Sequence, residues 1–266
     1  MNNLCFAIGI LSWRGYDSLE NSLHSYKKNG LSQMTKNKFV CLPEYTQEGI
    51  KIAEKYNYEP ILINENLGIL GGFKKLVEKM PKGPLLLLEN DLELIENKET
   101  TYNEIKKSID LLYEPNVIQV RMRSTIKPGD PFVGKEKYRK YWSNNPKSYL
   151  KRIFRPFKAK RLIGDSIYVL ENPEKRHPSK IKRLSDGFFL VSSSILPWTN
   201  QSILVDKTKY LEIIIKKAES IKTSRGPTGF KNVEVELNSS WWRKNEFKII
   251  VAPGLFTHKR LSNRGY

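Results

Sequence analysis

The chain predicts an α/β fold with a mostly parallel central sheet, on three observations. First, Pro84-Leu85-Leu86-Leu87-Leu88-Glu89 is too short for a membrane span and too apolar for an exposed strand, so it reads as a central strand buried on both faces. Second, strand-like runs at 4–12, 36–42 and 59–63 alternate with helical patterns at 17–28 and 47–56, which gives βαβ units with right-handed crossovers. Third, the central run ends in Glu89-Asn90-Asp91, and ligands of open parallel sheets sit just beyond the carboxyl ends of the strands.

Each element follows in order. Residues 4–12 form a first buried strand, and Asp17 or Ser18 caps a helix whose inner face carries Leu19, Leu23 and Tyr26. The second strand ends just before Glu44, and the third starts near Pro60. A glycine-rich stretch, Asn66-Leu67-Gly68-Ile69-Leu70-Gly71-Gly72, leads into a helix to about Met80. A helix at 100–113 carries Ile105, Ile109 and Leu112 on one face, and 117–122 is another strand. Further strands are expected at 186–191 and 247–251, with a helix at 207–221, a Gly/Pro loop at 224–229 and a helix from Glu234 to Lys244. In that last helix Leu237 and Trp241 face the core and Glu234 points elsewhere, into a cleft.

The 266 residues show no long linker and no repeat, so 1–266 is expected to form one domain with an insertion at about 124–184. Lys+Arg 46 against Asp+Glu 28 gives a formal charge of +18 and implies an anionic partner. No stretch is long enough to span a bilayer and no signal peptide is visible, so the cytoplasm, including a membrane's cytosolic face, is the expected location. Cys5 and Cys41 read as small buried apolar residues in a reducing compartment. Within the insertion, residues 135–161 hold eleven Lys/Arg and one acid, interleaved with aromatic residues and broken by Pro146 and Pro156. The plainer reading is a solvated surface; the functional one is a surface for an acidic acceptor or for anionic lipid headgroups. Basic residues with aromatics also suit single-stranded nucleic acid, but no nucleic-acid motif is present, which makes that partner unlikely.

Carboxylates at the end of a buried strand need something cationic. Oxygen donors such as Asp91, helped by Glu89, suit Mg2+ or Mn2+ shared with substrate phosphates, although either acid alone also suits a solvated loop. Gly68 and Gly71 let backbone approach a ligand at a helix N-terminus, but the stretch lacks the Gly-Lys-Ser/Thr ending of a P-loop. His258, on a late loop, can complete a metal site through a ring nitrogen, and Lys259 and Arg260 can offset charge on a departing diphosphate. Glu234, at a helix start, suits a general base.

In their order and spacing these pieces resemble the GT-A fold glycosyltransferases, in particular the family 2 group that includes rhamnosyltransferase-like enzymes. Residues 66–72 are similar to that family's Asn-x-Gly-x-x-Gly-Gly/Ala stretch, with Asn66 at its head, and Leu87-Leu88-Glu89-Asn90-Asp91 resembles its Asp-x-Asp segment. Gly229-Phe230 and Val233-Glu234-Val235-Glu236-Leu237 resemble the Gly-Phe and the Glu-Asp-x-Asp-Leu motif of the catalytic helix. The run from Lys248 to His258 follows the family's spacing to its metal-associated His. The likeness runs from about residue 4 to 260, with the insertion outside it. It implies a GT-A type Rossmann-like sandwich, with Asp91 and His258 at a Mn2+ or Mg2+ ion. Ser12 and Glu44 then meet the nucleotide base and ribose, and Glu89 and Asn90 belong to the donor site. Glu89 replaces the family's first Asp, and Glu234-Val235 replaces Glu-Asp, so Glu234 and Glu236 both stand as candidate bases.

The function the resemblance implies is inverting, metal-dependent transfer of a sugar from a nucleotide-diphosphate donor, a UDP-sugar first among these, to a hydroxyl of a glycan or glycoconjugate. The alternatives are a sugar nucleotidyltransferase on a related sheet, and a basic module for nucleic acid or membrane. The first needs a better Gly-rich loop than Ser12-Trp13-Arg14-Gly15, and the second gives the acid triplet and Glu234 no role.

Overall fold

A computed structural model describes residues 4–222, 229–259 and 261. The Gly/Pro loop expected at 224–229 therefore lies outside the described residues except for Gly229, as does Arg260. The first half follows the predicted alternation: β1 (Ala7–Leu11), α1 (Tyr16–Lys28), β2 (Lys38–Pro43), α2 (Gln47–Lys55), β3 (Glu59–Ile63), α3 (Gly68–Lys79) and β4 (Pro84–Glu89). Next come β5 (Leu92–Leu94), α4 (Lys98–Leu112) and β6 (Val117–Arg123). The insertion holds α5 (Val133–Trp142), α6 (Pro146–Phe154), α7 (Pro156–Arg161) and α8 (Pro173–Arg176). After it come β7 (Lys182–Arg183), β8 (Phe189–Ser192), β9 (Ile203–Asp206) and α9 (Lys207–Lys209), which runs through a π-helical stretch, Tyr210–Ile215, into α10 (Lys216–Glu219). The described chain closes with α11 (Val233–Leu237), α12 (Ser240–Lys244) and β10 (Lys248–His258).

The strands join in one sheet of order β3-β2-β1-β4-β9-β6-β10-β8-β7, with β5 pairing β10. β1 to β4 are parallel to one another, β6 is parallel to β10, and β9 runs against both β4 and β6. Most strands thus point one way, and this is the architecture that the resemblance implies. The leucine run explains itself in the packing. Leu85 and Leu87 enter one core with Phe73, Leu76 and Trp198, while Leu86 and Leu88 enter the other with Leu19, Leu23 and Ile105. A strand covered on both faces has no side to leave polar.

The structure departs from the sequence reading in several places. β9 was not expected; it sits mid-sheet with reversed direction. The helix expected from Glu234 to Lys244 is two short ones, and the break at Asn238-Ser239 turns Trp242, not Trp241, fully into the core. Cys5 is exposed, whereas Cys41 is buried as expected, with burial pushing its thiol up to about 12. Gly15, in a left-handed conformation, rather than Asp17 or Ser18, precedes α1, and Asp17 falls in the helix's first turn. Pro146 and Pro156 act as starts rather than breaks: each occupies the first turn of a short helix, where its missing N–H costs nothing.

One buried acid ties α4 to the sheet. Glu104 Oε1 accepts the Gly254 amide at 3.0 Å, and burial pushes its carboxyl up to about 8. The folded state therefore holds this proton where the unfolded chain has already lost it. The stabilising contribution is complete below the unfolded value near 4.5 and is lost as pH rises through about 8. Glu104→Gln, which keeps the carbonyl acceptor, is expected to raise Tm at pH 8.5–9, an interval set about the cited value, and to flatten the alkaline fall in stability. Thermal melts across pH check this, and equal slopes for both proteins would refute it.

Candidate functional site

Asp91 lies in the short link between β4 and β5, and His258 is the last residue of β10. Antiparallel pairing of β5 with β10 sets Leu92 opposite His258, and the Lys259 amide donates to the Asp91 carbonyl at 2.8 Å. This register brings the two predicted side chains together: His258 Nε2 is 3.0 Å from Asp91 Oδ2, and both side chains are less than 10% exposed. The other ring nitrogen, Nδ1, is 2.7 Å from the Asp130 carbonyl oxygen, which can only accept. Nδ1 therefore carries a proton. A glycine is required beside the ring, because a Cβ at Gly129, whose φ is +75°, would meet the His258 carbonyl oxygen at 2.1 Å.

With Nδ1 protonated, a neutral His258 presents a lone pair at Nε2 to a carboxylate oxygen. Two acceptors at 3.0 Å need a positive charge between them, either a proton or a metal ion. Adjacent ligands of an octahedral ion with bonds of about 2.1 Å are themselves about 3 Å apart, so the pair suits Mg2+ or Mn2+. No group of three or more His, Cys, Asp or Glu side chains is placed to hold a metal among the described residues. An ion held by one carboxylate and one imidazole leaves its remaining positions for phosphate oxygens and water.

The other predicted donor-side residues surround this pair or the strand ends beside it. Ser12 is buried directly after β1, and Glu89 ends β4 opposite Leu11. Glu44 accepts the Trp13 indole N–H at 2.7 Å and lies 3.5 Å from the Arg14 guanidinium, so it anchors the loop after β1. The Asn90 amide donates to the Arg14 and Gly15 carbonyls at 3.0 and 3.2 Å, which fixes the same loop. Lys259 pairs with Glu93 at 3.0 Å. Asn66 Oδ1 accepts the Gly68 amide at 2.8 Å, and Gly71 lies in the first turn of α3. Gly68, with φ +64°, allows a close approach: a Cβ there would meet Phe230 Cβ at 2.6 Å. The Leu70 amide also donates to the Lys231 carbonyl, so the glycine loop rests on the segment that enters α11.

Glu234 stands at the start of α11, with its amide capped by Asn232 Oδ1 at 2.9 Å. Its Oε1 accepts the Thr199 hydroxyl and the Asn200 amide, both at 2.8 Å. Its Oε2 has no hydrogen-bond partner among the described residues. Asn238 pins the same loop, accepting the Trp198 amide and donating to the Trp198 carbonyl. Glu234 lines a cavity of about 470 Å³. Glu236, the second candidate base, is 1% exposed and lies outside the cavity lining.

The cavity wall carries residues the sequence reading did not single out. Arg121, Arg123, Lys137, Arg161 and Arg243 line it, against Asp165 and Glu234. Among the described residues none of the five cations makes a salt bridge within 4 Å. Burial raises the Asp165 carboxyl to about 6, against the opposing pull of Arg121 and Lys137. Burial, then the neighbouring Arg161, lowers the pKa of Arg243. Arg123 joins the two halves of the site. It donates to the Pro128 and Gly129 carbonyls at 2.6 and 3.2 Å, stacks on Phe132, and feels the charges of Asp91 and Glu89. A signal for Arg121 and Arg123 was present: two arginines spaced by two share one face of a strand whose only other polar residue is Gln119, and charge on a buried strand demands a purpose.

No family model matches this sequence, and no curated protein matches it. Several solved structures resemble it. Glucosyl-3-phosphoglycerate synthase from Mycobacterium tuberculosis, in complex with Mn2+, UDP-glucose and phosphoglyceric acid, is 10% identical, and the match covers 97% of this chain and 72% of that one with a TM-score of 0.48. A cytidylyltransferase from Leptospira borgpetersenii is 12% identical over 48% of this chain and 57% of that one, with a TM-score of 0.36. The mannosyltransferase PcManGT from Pyrobaculum calidifontis, in complex with GDP-Man and Mn2+, is 11% identical over 47% and 38%, with a TM-score of 0.35. The chain thus spans 57% and 38% of the lengths of the latter two. At these scores the likeness does not bear on what this chain does.

Proposed function

We propose that the protein is a metal-dependent glycosyltransferase that moves a sugar from a nucleotide-diphosphate donor to the hydroxyl of an acidic glycan or glycoconjugate. One observation carries the reading: a buried Asp91–His258 pair suited to a divalent ion lies at the strand ends, linked through Arg123 to a cavity on whose wall Glu234 keeps one carboxylate oxygen unengaged among the described residues. Asp91 and His258 would hold Mn2+ or Mg2+, which supplies charge neutralisation for the departing diphosphate.

This chain's own groups supply the remaining steps. Glu234 Oε2 accepts the proton of the acceptor hydroxyl while Thr199 and the Asn200 amide hold Oε1 and fix the carboxylate's aim. The hydroxyl oxygen forms its bond to the anomeric carbon on the face opposite the bond that breaks, which inverts the centre. The bond to the diphosphate breaks with its electron pair, and Lys259, whose amide donates to the Asp91 carbonyl while its ammonium pairs with Glu93, is a further cation nearby. The acidic acceptor follows from the cavity wall: five cations that make no salt bridge among the described residues gather around a space that an anion would neutralise.

The test is thermal shift of the purified protein against UDP-, GDP- and dTDP-sugars with Mn2+, followed by transfer assays. A specific donor stabilises by mass action. Absence of binding, hydrolysis and transfer with every donor would overturn the proposal, as would release of pyrophosphate from a nucleoside triphosphate. Arg161→Ala with Arg243→Ala is expected to raise KM for phosphorylated or carboxylated acceptors about ten- to a hundredfold, the size of lost charge-assisted hydrogen bonds. Hydrolysis of the donor by water should stay unchanged. An equal loss for neutral acceptors would remove the acidic-acceptor part of the reading.

A further inference from the structure

The helices α6 and α7 are amphipathic in the wrong direction for a protein facing only water. Their inner side is polar or small. Ser148 is buried and its hydroxyl donates to the Lys140 carbonyl at 3.1 Å, Ala159 is buried, and its carbonyl accepts the Trp142 indole N–H at 3.0 Å. Arg152 donates to the Tyr141 carbonyl at 2.7 Å and stacks on Trp142. These contacts fasten the pair to α5. The apolar side chains point away from that attachment: Leu150, Ile153, Phe154 and Phe157 are 50%, 54%, 77% and 77% exposed. Leu150, Ile153 and Phe154, at i, i+3 and i+4, share one face of α6, the kind that is normally buried, and Phe157 follows in the first turn of α7 beyond the break at Arg155. Tyr149, 59% exposed, borders it.

The same segment, residues 146–161, carries seven Lys/Arg and no acid. An exposed apolar ridge within a field of one sign fits a surface that is apolar below and anionic above. A second copy of this chain would bring another +18 toward that field. Nucleic acid would meet the charge and could stack on Tyr149, Phe154 and Phe157, yet it leaves the aliphatic Leu150 and Ile153 in water. We infer that the α6–α7 ridge is a membrane-docking surface that seats Leu150, Ile153, Phe154 and Phe157 at the headgroup boundary of an anionic bilayer. No helix among the described residues is long and apolar enough to cross a membrane. α7 ends at Arg161, which lines the cavity, so docking sets the cavity rim beside the headgroups. The inference does not depend on the reaction assigned above.

The experiment is co-sedimentation of the full chain with phosphatidylcholine vesicles, with and without about one-third phosphatidylglycerol. Binding is expected on the anionic vesicles only, and to weaken as salt rises from about 0.1 to 0.5 M. Phe154→Ser with Phe157→Ser should weaken binding about tenfold or more, with Tm unchanged because both side chains are exposed; Leu150→Ser with Ile153→Ser is an independent second variant. The inference is overturned if the unaltered protein ignores anionic vesicles, or if both variants sediment as it does. It is overturned equally if the variants lose only self-association or only binding to a single-stranded oligonucleotide.

Discussion

Asp91→Asn is expected to lower sugar transfer by about 10²–10⁴-fold and to abolish the metal dependence of donor binding. The substitution changes almost no volume, and the new amide can still donate to His258 Nε2, so the link between β4 and β5 keeps its shape. What it removes is the charge. In the native pair an anionic oxygen and a ring nitrogen stand 3.0 Å apart, with Nδ1 committed to the Asp130 carbonyl. That arrangement favours a cation in the gap. An amide fills the gap with its own hydrogen and leaves nothing for a divalent ion. Donor affinity measured with Mn2+ and again with a chelator should fall sharply on chelation for the native protein and change little for the variant. If the variant keeps a metal-dependent donor affinity, the pair is a structural ion pair and the ion binds elsewhere.

That meeting of Asp91 and His258 shows how far the sequence could be read. Each residue was legible by chemistry: an acid at the end of a leucine-rich strand, and a histidine among cations, expected on a late loop, that β10 in fact reaches. Their contact depends on β5, three residues long, pairing antiparallel with the tail of β10, and a three-residue strand leaves no periodic trace. β9 escaped for a related reason. Its Ile203-Leu204-Val205-Asp206 is four residues between a polar loop and a helix, and its reversed direction mid-sheet is set by tertiary packing.

The cationic cavity was harder still, because its wall is assembled from a strand, the insertion and α12. Charge alone predicted an anionic partner, and the basic insertion carried two readings, a solvated surface and a surface for an anionic partner. Only the fold divides its cations into two groups. Lys137 and Arg161 look into the cavity with Arg121 and Arg123, while others ring the α6–α7 ridge. Of the ridge, the sequence reading noted only the aromatic residues interleaved with the charge; the face that Leu150, Ile153 and Phe154 share was hidden by Pro146 and Pro156, which argued against long regular elements.

Glu234→Gln is the sharper test of chemistry, since it should leave donor binding intact and cut transfer by about 10²–10⁴-fold, the usual contribution of a positioned base. Gln keeps the carbonyl acceptor for the Thr199 hydroxyl and the Asn200 amide, so the loop that carries Trp198 stays in place. The lost function is acceptance of a proton at Oε2. A pre-ionised nucleophile needs no such acceptance, so azide should restore turnover of the donor by the variant as a glycosyl azide. Glu236 separates folding from catalysis. It is buried at 1% exposure and lies off the cavity wall, so Glu236→Gln should act on Tm rather than on the proton transfer. Full transfer by Glu234→Gln would remove it as the base. Azide rescue of a stably folded Glu236→Gln would move the role to Glu236, which would then have to reach the acceptor through a rearranged junction between α11 and α12.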